Sequence, residues 1–132
     1  MKANELRIGN WVQHPDNPNP HQVNAYGILN QSEKGIFEPI LLTEDWLLKF
    51  GFERTLLSNI YKKVMHSVNG VNLKSIAVYL DEKDYTVALV DYYTGVEKTE
   101  LLHMDYKYVH QLKNLYFALT GTELELKNEN PV

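Results

Sequence analysis

Downstream of Leu56, apolar and polar residues alternate with period two as far as His103. Turn residues interrupt the alternation three times. Asn69-Gly70 separates Ile60–Val68 from Val71–Leu80, and both of its positions accept the positive φ that a tight hairpin needs. Asp81-Glu82-Lys83-Asp84 precedes Tyr85–Tyr93, which is rich in β-branched and aromatic residues, and Thr94-Gly95 leads into Val96–His103. Four strands joined by three short turns predict an antiparallel meander. Along its second strand, Ile76, Val78 and Leu80 point to one face, and Ala77 and Tyr79 to the other.

The period then changes to 3.6. Tyr108, Val109, Leu112, Leu115, Tyr116 and Leu119 form one stripe of a helix over residues 105–120, with Asp105 as its cap and Gly121 as its end. An amphipathic helix of this kind is expected to pack on the sheet and cover one face of the meander. Its other side carries Tyr106, His110, Lys113 and Phe117 at i, i+4, i+7 and i+11. Two aromatics on an outer helix face predict a second contact. That contact is either the chain's own N-terminal half or a partner. These four residues are the candidate interaction face.

The N-terminal half is less regular. Residues 6–14 read as a turn entering a short strand, Pro15–Pro20 as a loop, and His21–Leu29 as a returning strand interrupted at Gly27. This predicts a hairpin followed by a polar connector over Gln31–Gly35. Ile36–Leu42, with Pro39 inside, reads as an edge strand. Thr43, Glu44 and Asp45 are a good helix start, and Leu42 with Leu47 can form a hydrophobic staple. Gly51 and Phe52 match a Schellman ending, so a short helix is predicted over residues 44–50, burying Trp46, Leu47 and Phe50. The sequence has no internal repeat and no linker. One α+β domain over residues 1–132 is expected, with a fraying tail from 123.

Composition narrows the classes. The chain has 132 residues, enough to bury a core without staples, and no cysteine, which excludes disulfides, cysteine nucleophiles and thiolate zinc sites. The start, Met1 to Arg7, lacks the apolar region of a secretion signal, and no apolar run approaches a membrane span. A cytoplasmic location is expected, and the Asn30-Gln31-Ser32 sequon is a chance match. The net charge is −4 and the longest basic run is Lys62-Lys63, so binding of duplex DNA over a broad surface is disfavoured.

Candidate chemistry is sparse. His14, Asp16 and His21 flank the proline-rich loop, but their spacing matches no known metal pattern. Asp81, Glu82 and Asp84 lack the glycine and terminal glutamate of a calcium loop. None of the four serines sits in a nucleophile elbow, and Ser67 beside His66 points to the opposite face of a strand. The seven glycines are scattered, so there is no phosphate loop. No cofactor, metal or catalytic residue is expected. Tyr79, Tyr85, Tyr92 and Tyr93 could stack single-stranded bases, but acidic residues stand where such modules carry basic ones.

Three blocks carry a resemblance. Lys2-Ala3-Asn4-Glu5-Leu6-Arg7-Ile8-Gly9-Asn10-Trp11-Val12, the segment from Pro39 to Phe52, and the segment from Tyr108 to Gly121 resemble a family of small uncharacterised bacterial proteins found in prophages and related phages. The resemblance spans nearly the whole chain in order. It implies no activity or ligand, so no residue inherits a role from it. The sequence therefore points to a non-enzymatic protein-interaction module, with a second copy or another protein as partner. A binder of single-stranded nucleic acid is the alternative.

Overall fold

The computed structural model describes residues 1–57, 59–68, 71–81, 85–93, 96–102 and 106–127. The architecture is mixed α+β, with a three-stranded sheet, a five-stranded meander and three α-helices, the last of them C-terminal. The chain divides into two compact units, Met1–Leu42 with Lys107–Leu124, and Thr43–Tyr106 with Glu125–Val132. No linker marks the division in the sequence, because the first unit draws its last helix from the far end of the chain.

In the first unit a 3-10 turn, Ala3–Glu5, precedes the expected hairpin of β1 (Trp11–His14) and β2 (Asn17–Gln22). The reading of Pro15–Pro20 as a loop is corrected, because Pro18 and Pro20 lie within β2. The sheet order is β2-β1-β3, with β3 at Glu38–Pro39, so all three prolines in strands sit on edges, where proline is tolerated.

The largest correction falls on residues 25–34. Where alternation suggested strand and polar connector, the chain forms helix α1, Ala25–Lys34. Its caps were visible in the sequence. The Asn24 side chain accepts a hydrogen bond from the Gly27 N–H at 2.9 Å, and Gly35, at φ +61°, ends the helix in the left-handed region. Its inner face hid the apolar period, because it is built from Gly27 and Gln31. A Cβ on Gly27 would meet Val23 and Phe37 at 3.1 and 3.3 Å. The buried Gln31 accepts from the Phe37 N–H at 2.6 Å and donates to the Met1 carbonyl at 2.8 Å. Leu6, Val12, Val23 and Phe37 form the apolar cluster of this unit.

Helix α3, Val109–Thr120, lies against β1. Gly121 ends it at φ +71°, as expected. Its start is corrected from residue 105 to residue 109, while the proposed cap Asp105 lies outside the described residues. Tyr108 is extended and forms an isolated antiparallel bridge with Leu41. The Leu42 N–H donates to the Lys107 carbonyl and the Val109 N–H to the Ile40 carbonyl, each at 2.8 Å. Tyr108 takes the N-cap position, and its N–H donates to Gln111 Oε1 at 3.1 Å.

In the second unit α2 (Glu44–Lys49) forms as the local signals require. The Gly51 N–H donates to the Leu48 carbonyl and the Phe52 N–H to the Leu47 carbonyl, each at 3.0 Å, which is the Schellman pairing. Leu47 and Phe50 are buried and Trp46 is half-buried. Glu44, in the first turn, accepts from the Tyr61 hydroxyl at 2.6 Å and forms an ion pair with Arg54.

The meander has one strand more than expected. A two-residue β4 (Glu53–Arg54) is added to β5 (Ile60–Val68), β6 (Val71–Leu80), β7 (Tyr85–Tyr93) and β8 (Val96–Leu102), in sequential antiparallel order. The predicted turns at 69–70, 82–84 and 94–95 lie outside the described residues. No helix among the described residues is long and apolar enough to cross a membrane.

Candidate docking surface

The register of the meander assembles three cross-strand rows on one face. Ile60 pairs with Tyr79 and Tyr79 with Thr86. Lys62 pairs with Ala77, Ala77 with Ala88, and Ala88 with Leu101. Ser75 pairs with Val90 and Val90 with Thr99. The middle row decides the shape of this face. Two alanines stand directly opposite each other on the central strands, between the long side chains of Lys62 and Leu101. The alanines make a low floor, and their neighbours make walls.

The result is an open trough of about 680 Å³. Ala77, Ala88 and Val90 form an apolar cluster in its floor, with Ile60 packed against them. Thr55, Leu56 and Leu57, from the connection between β4 and β5, raise the wall at the Ile60–Tyr79 end. Among the described residues lining the trough, Lys62 alone is charged.

This face departs from what a solvated sheet face should be. Antiparallel sheets with one wet side show clean alternation, whereas strands covered on both sides read as near-continuous apolar runs. Ile76-Ala77-Val78-Tyr79-Leu80 and Val87-Ala88-Leu89-Val90 are such runs. Ile76, Val78 and Val87 are fully buried on the opposite face. On the trough face Ala77, Ala88 and Val90 are buried too, yet Leu57 and Leu101 are more than half exposed and Leu56 is entirely so. The signal was present in the sequence as two unbroken runs, but the alternation around them masked it.

The predicted interaction face lies differently. Of its four residues, His110 and Lys113 are buried and Phe117 is 39% exposed, while Tyr106 is half-buried, precedes α3 and belongs to the second unit. The expectation that His110 and Lys113 present an outer face is therefore corrected. Lys113 lies between Val109 and His110 around the helix, within the buried arc. Its ammonium donates to the Leu124 carbonyl at 2.9 Å and lies 3.3 Å from Glu123 Oε2. Leu115 and Leu119, assigned to the inner stripe, are half-buried and 42% exposed respectively.

The cover is the chain's own N-terminal segment and tail. Arg7 donates to Asn114 Oδ1 at 2.8 Å, pairs with Glu123, and places its guanidinium 4.2 Å from the centre of the Phe117 ring. Asn10 donates to the same Asn114 oxygen at 2.9 Å, and the Asn114 amide donates to the Glu5 carbonyl at 2.9 Å. His110 Nε2 stands 3.8 Å from Glu5 Oε1. Burial pushes the His110 pKa below the usual histidine value, against the opposing pull of Glu5. The Lys2 N–H, which donates to Glu5 Oε2 at 2.6 Å, leads the causes that lower the Glu5 pKa.

The remaining sequence candidates are not brought together. The His14 and His21 rings stack on each other at 5.1 Å and meet the edge of Phe37, while Asp16 is exposed. Stacked rings do not converge on an ion, and no group of three His, Asp or Glu among the described residues could hold a metal. Burial, then the charge of His14, lowers the His21 pKa. Asp81 is exposed, and Glu82, Lys83 and Asp84 lie outside the described residues. His66 is exposed and pairs with Lys74 across a register shift, which breaks the simple alternation assumed for His66-Ser67. Of the sheet tyrosines, Tyr79 stands in the trough, Tyr85 is half-buried, and the side chains of Tyr92 and Tyr93 lie outside the described residues. No family model, curated protein or solved structure matches the chain.

Proposed function

We propose that the protein is a non-enzymatic, cytoplasmic interaction module, related to the prophage proteins that its three sequence blocks resemble. Its docking surface is the open trough of the meander rather than the outer face of the last helix. The observation that carries this reading is the open trough, in which Leu56, Leu57 and Leu101 are more than half exposed above a buried floor of Ala77, Ala88 and Val90. Burying apolar surface stabilises association by roughly 25 cal/mol per Å² before the costs of ordering are subtracted. Exposed apolar patches ringed by polar groups mark interaction sites, and Thr86 and Thr99 supply hydroxyls beside the floor.

A photo-reactive phenylalanine analogue in place of Tyr79, compared with the same group in place of Phe117, tests the location in living cells. Covalent adducts are expected from position 79 and not from position 117. Adducts confined to position 117 would return the interaction to the helix and overturn the proposal.

A further inference from the structure

We infer that β8, the open edge of the meander, pairs antiparallel with β8 of a second copy of this chain, centred on Thr99, so that Lys98 of each protomer stands opposite Glu100 of the other. The pairing uses the rim of the sheet and is independent of what fills the trough.

A strand at the end of a sheet presents unpaired N–H and C=O groups along its outer side, a ready template for another strand. Folded proteins blunt such edges with proline, with bulges or by keeping them short. The other sheet edges of this chain carry those devices. β2 contains Pro18 and Pro20, and β3 is two residues long and contains Pro39. At the far side of the meander β4 covers only Tyr61 and Lys62, and the rest of β5 carries two register shifts. β8 has neither proline nor bulge. Its seven residues, Val96–Leu102, pair one for one with residues 87–93 of β7 without a shift.

Charge is the remaining safeguard, and on β8 the order of charges favours a copy. Opposite charges directly across an antiparallel pair stabilise it, and like charges destabilise it. Lys98-Thr99-Glu100 exchanges plus for minus when the strand is reversed about Thr99. A two-fold axis there makes two Lys–Glu pairs, because a symmetric interface repeats each contact. With the axis at Lys98 or at Glu100, like charges meet on the axis itself. Any strand could supply the backbone hydrogen bonds, so the charge order is what selects both the partner and the register.

The rows behind the edge agree with this register. Lys74 pairs with Asp91, and Asp91 with Lys98, so the signs already alternate across β6, β7 and β8. Glu100 of a copy continues that order as the fourth member. Lys98, Thr99 and Glu100 are all exposed, and no hydrogen bond or ion pair among the described residues engages them. On the trough face the axis sets Thr99 against its own copy, and threonines are favourable cross-strand neighbours.

Sedimentation equilibrium of the purified full chain over a concentration series is the test. A seven-residue strand is well below the about 20–30 residues a side of a standard interface, so wild type is expected to pass from monomer to dimer across roughly 10–300 µM. Lys98→Glu and Glu100→Lys are each expected to weaken dimerisation at least tenfold with an unchanged circular dichroism spectrum, since both residues are exposed. Lys98→Glu also meets Asp91 across the ladder, so Glu100→Lys, whose neighbour is Leu89, is the cleaner of the two. An equimolar mixture of the two variants is expected to recover association to near the wild-type level, because each then meets the opposite sign at both positions. A wild type that remains monomeric throughout overturns the inference. So does a dimer indifferent to both substitutions, which uses another face, or a mixture as monomeric as its components, which rules out the charge pairing. None of these outcomes bears on the Tyr79 adducts, which report on the trough alone.

Discussion

The outer side of α3 and the open face of the meander exchange the roles their residues suggest. The helix side carries His110 and Lys113, types that normally face water, and the chain buries both. The trough of the meander carries Leu56, Leu57 and Leu101, types that normally seek cover, and they are more than half exposed above a buried floor of Ala77, Ala88 and Val90. The difference lies in what the rest of the chain can reach. Arg7, Asn10 and the carbonyls of Glu5 and Leu124 offer hydrogen-bonding partners to Asn114 and Lys113 of α3, so burial of these groups is compensated, whereas both ring nitrogens of His110 are buried without a hydrogen-bond partner. An apolar trough needs only shape and surface, which an external molecule can supply. A polar face is therefore no guarantee of exposure, and an apolar one is no guarantee of a core.

The largest expected effect breaks the buried side of this comparison. Lys113→Ala removes the ammonium that serves Glu123 and the Leu124 carbonyl, and unfolding in urea should show a loss of roughly 2–3 kcal/mol, below the full cost of an orphaned buried charge because Arg7 still pairs with Glu123. A loss smaller than that of an ordinary surface substitution would mean that the tail at Glu123 and Leu124 does not clasp the helix in solution.

The next effect is a pH dependence. His110 is held neutral by burial, so its folded pKa lies below its unfolded value of 6.5. The unfolded chain then binds the extra proton first as pH falls, and stability declines from about pH 6.5 downward until the folded pKa is passed. His21 is lowered too and adds in the same direction. The lowered pKa of Glu5 acts at more acid pH, where its stabilisation is lost below 4.5. The slope from one proton is at most about 1.4 kcal/mol per pH unit, and His110→Gln should flatten it between about pH 7 and 5. An unchanged slope in that variant would show that His110 titrates as an exposed residue.

The smallest effects are expected at exposed side chains on both regions. Phe117→Ala should cost about 0.5–1 kcal/mol through loss of the Arg7 contact. Leu56→Asp should change stability by less than about 0.5 kcal/mol. Equal stability losses in the two variants would erase the distinction between a helix face used by its own chain and a sheet face left free.

Local chemistry was legible wherever one segment decides its own conformation. The acidic first turn and Schellman end of α2 were readable, as were Gly121 and the strand runs of β5 to β8. Helix α1 was legible only through Asn24 and Gly35, because its inner face is a glycine and a glutamine whose partners, Phe37 and Met1, are distant in sequence. The start of α3 was misplaced because Tyr108 forms a bridge with Leu41, a preference that no local pattern encodes. The two-sided apolar character of the meander could have been found from its unbroken runs, but which side stays uncovered could not.

The sequence by itself determined the α+β class, the antiparallel meander, the short capped helix and the amphipathic last helix, because periodicity and capping act within a few residues. Only the tertiary structure decided that Lys113 and His110 are inside and that Leu56, Leu57 and Leu101 stay exposed. Burial is a property of what meets a surface, and the groups that meet α3 come from residues 5–10 and 123–124, more than a hundred residues away at one end and about ten at the other.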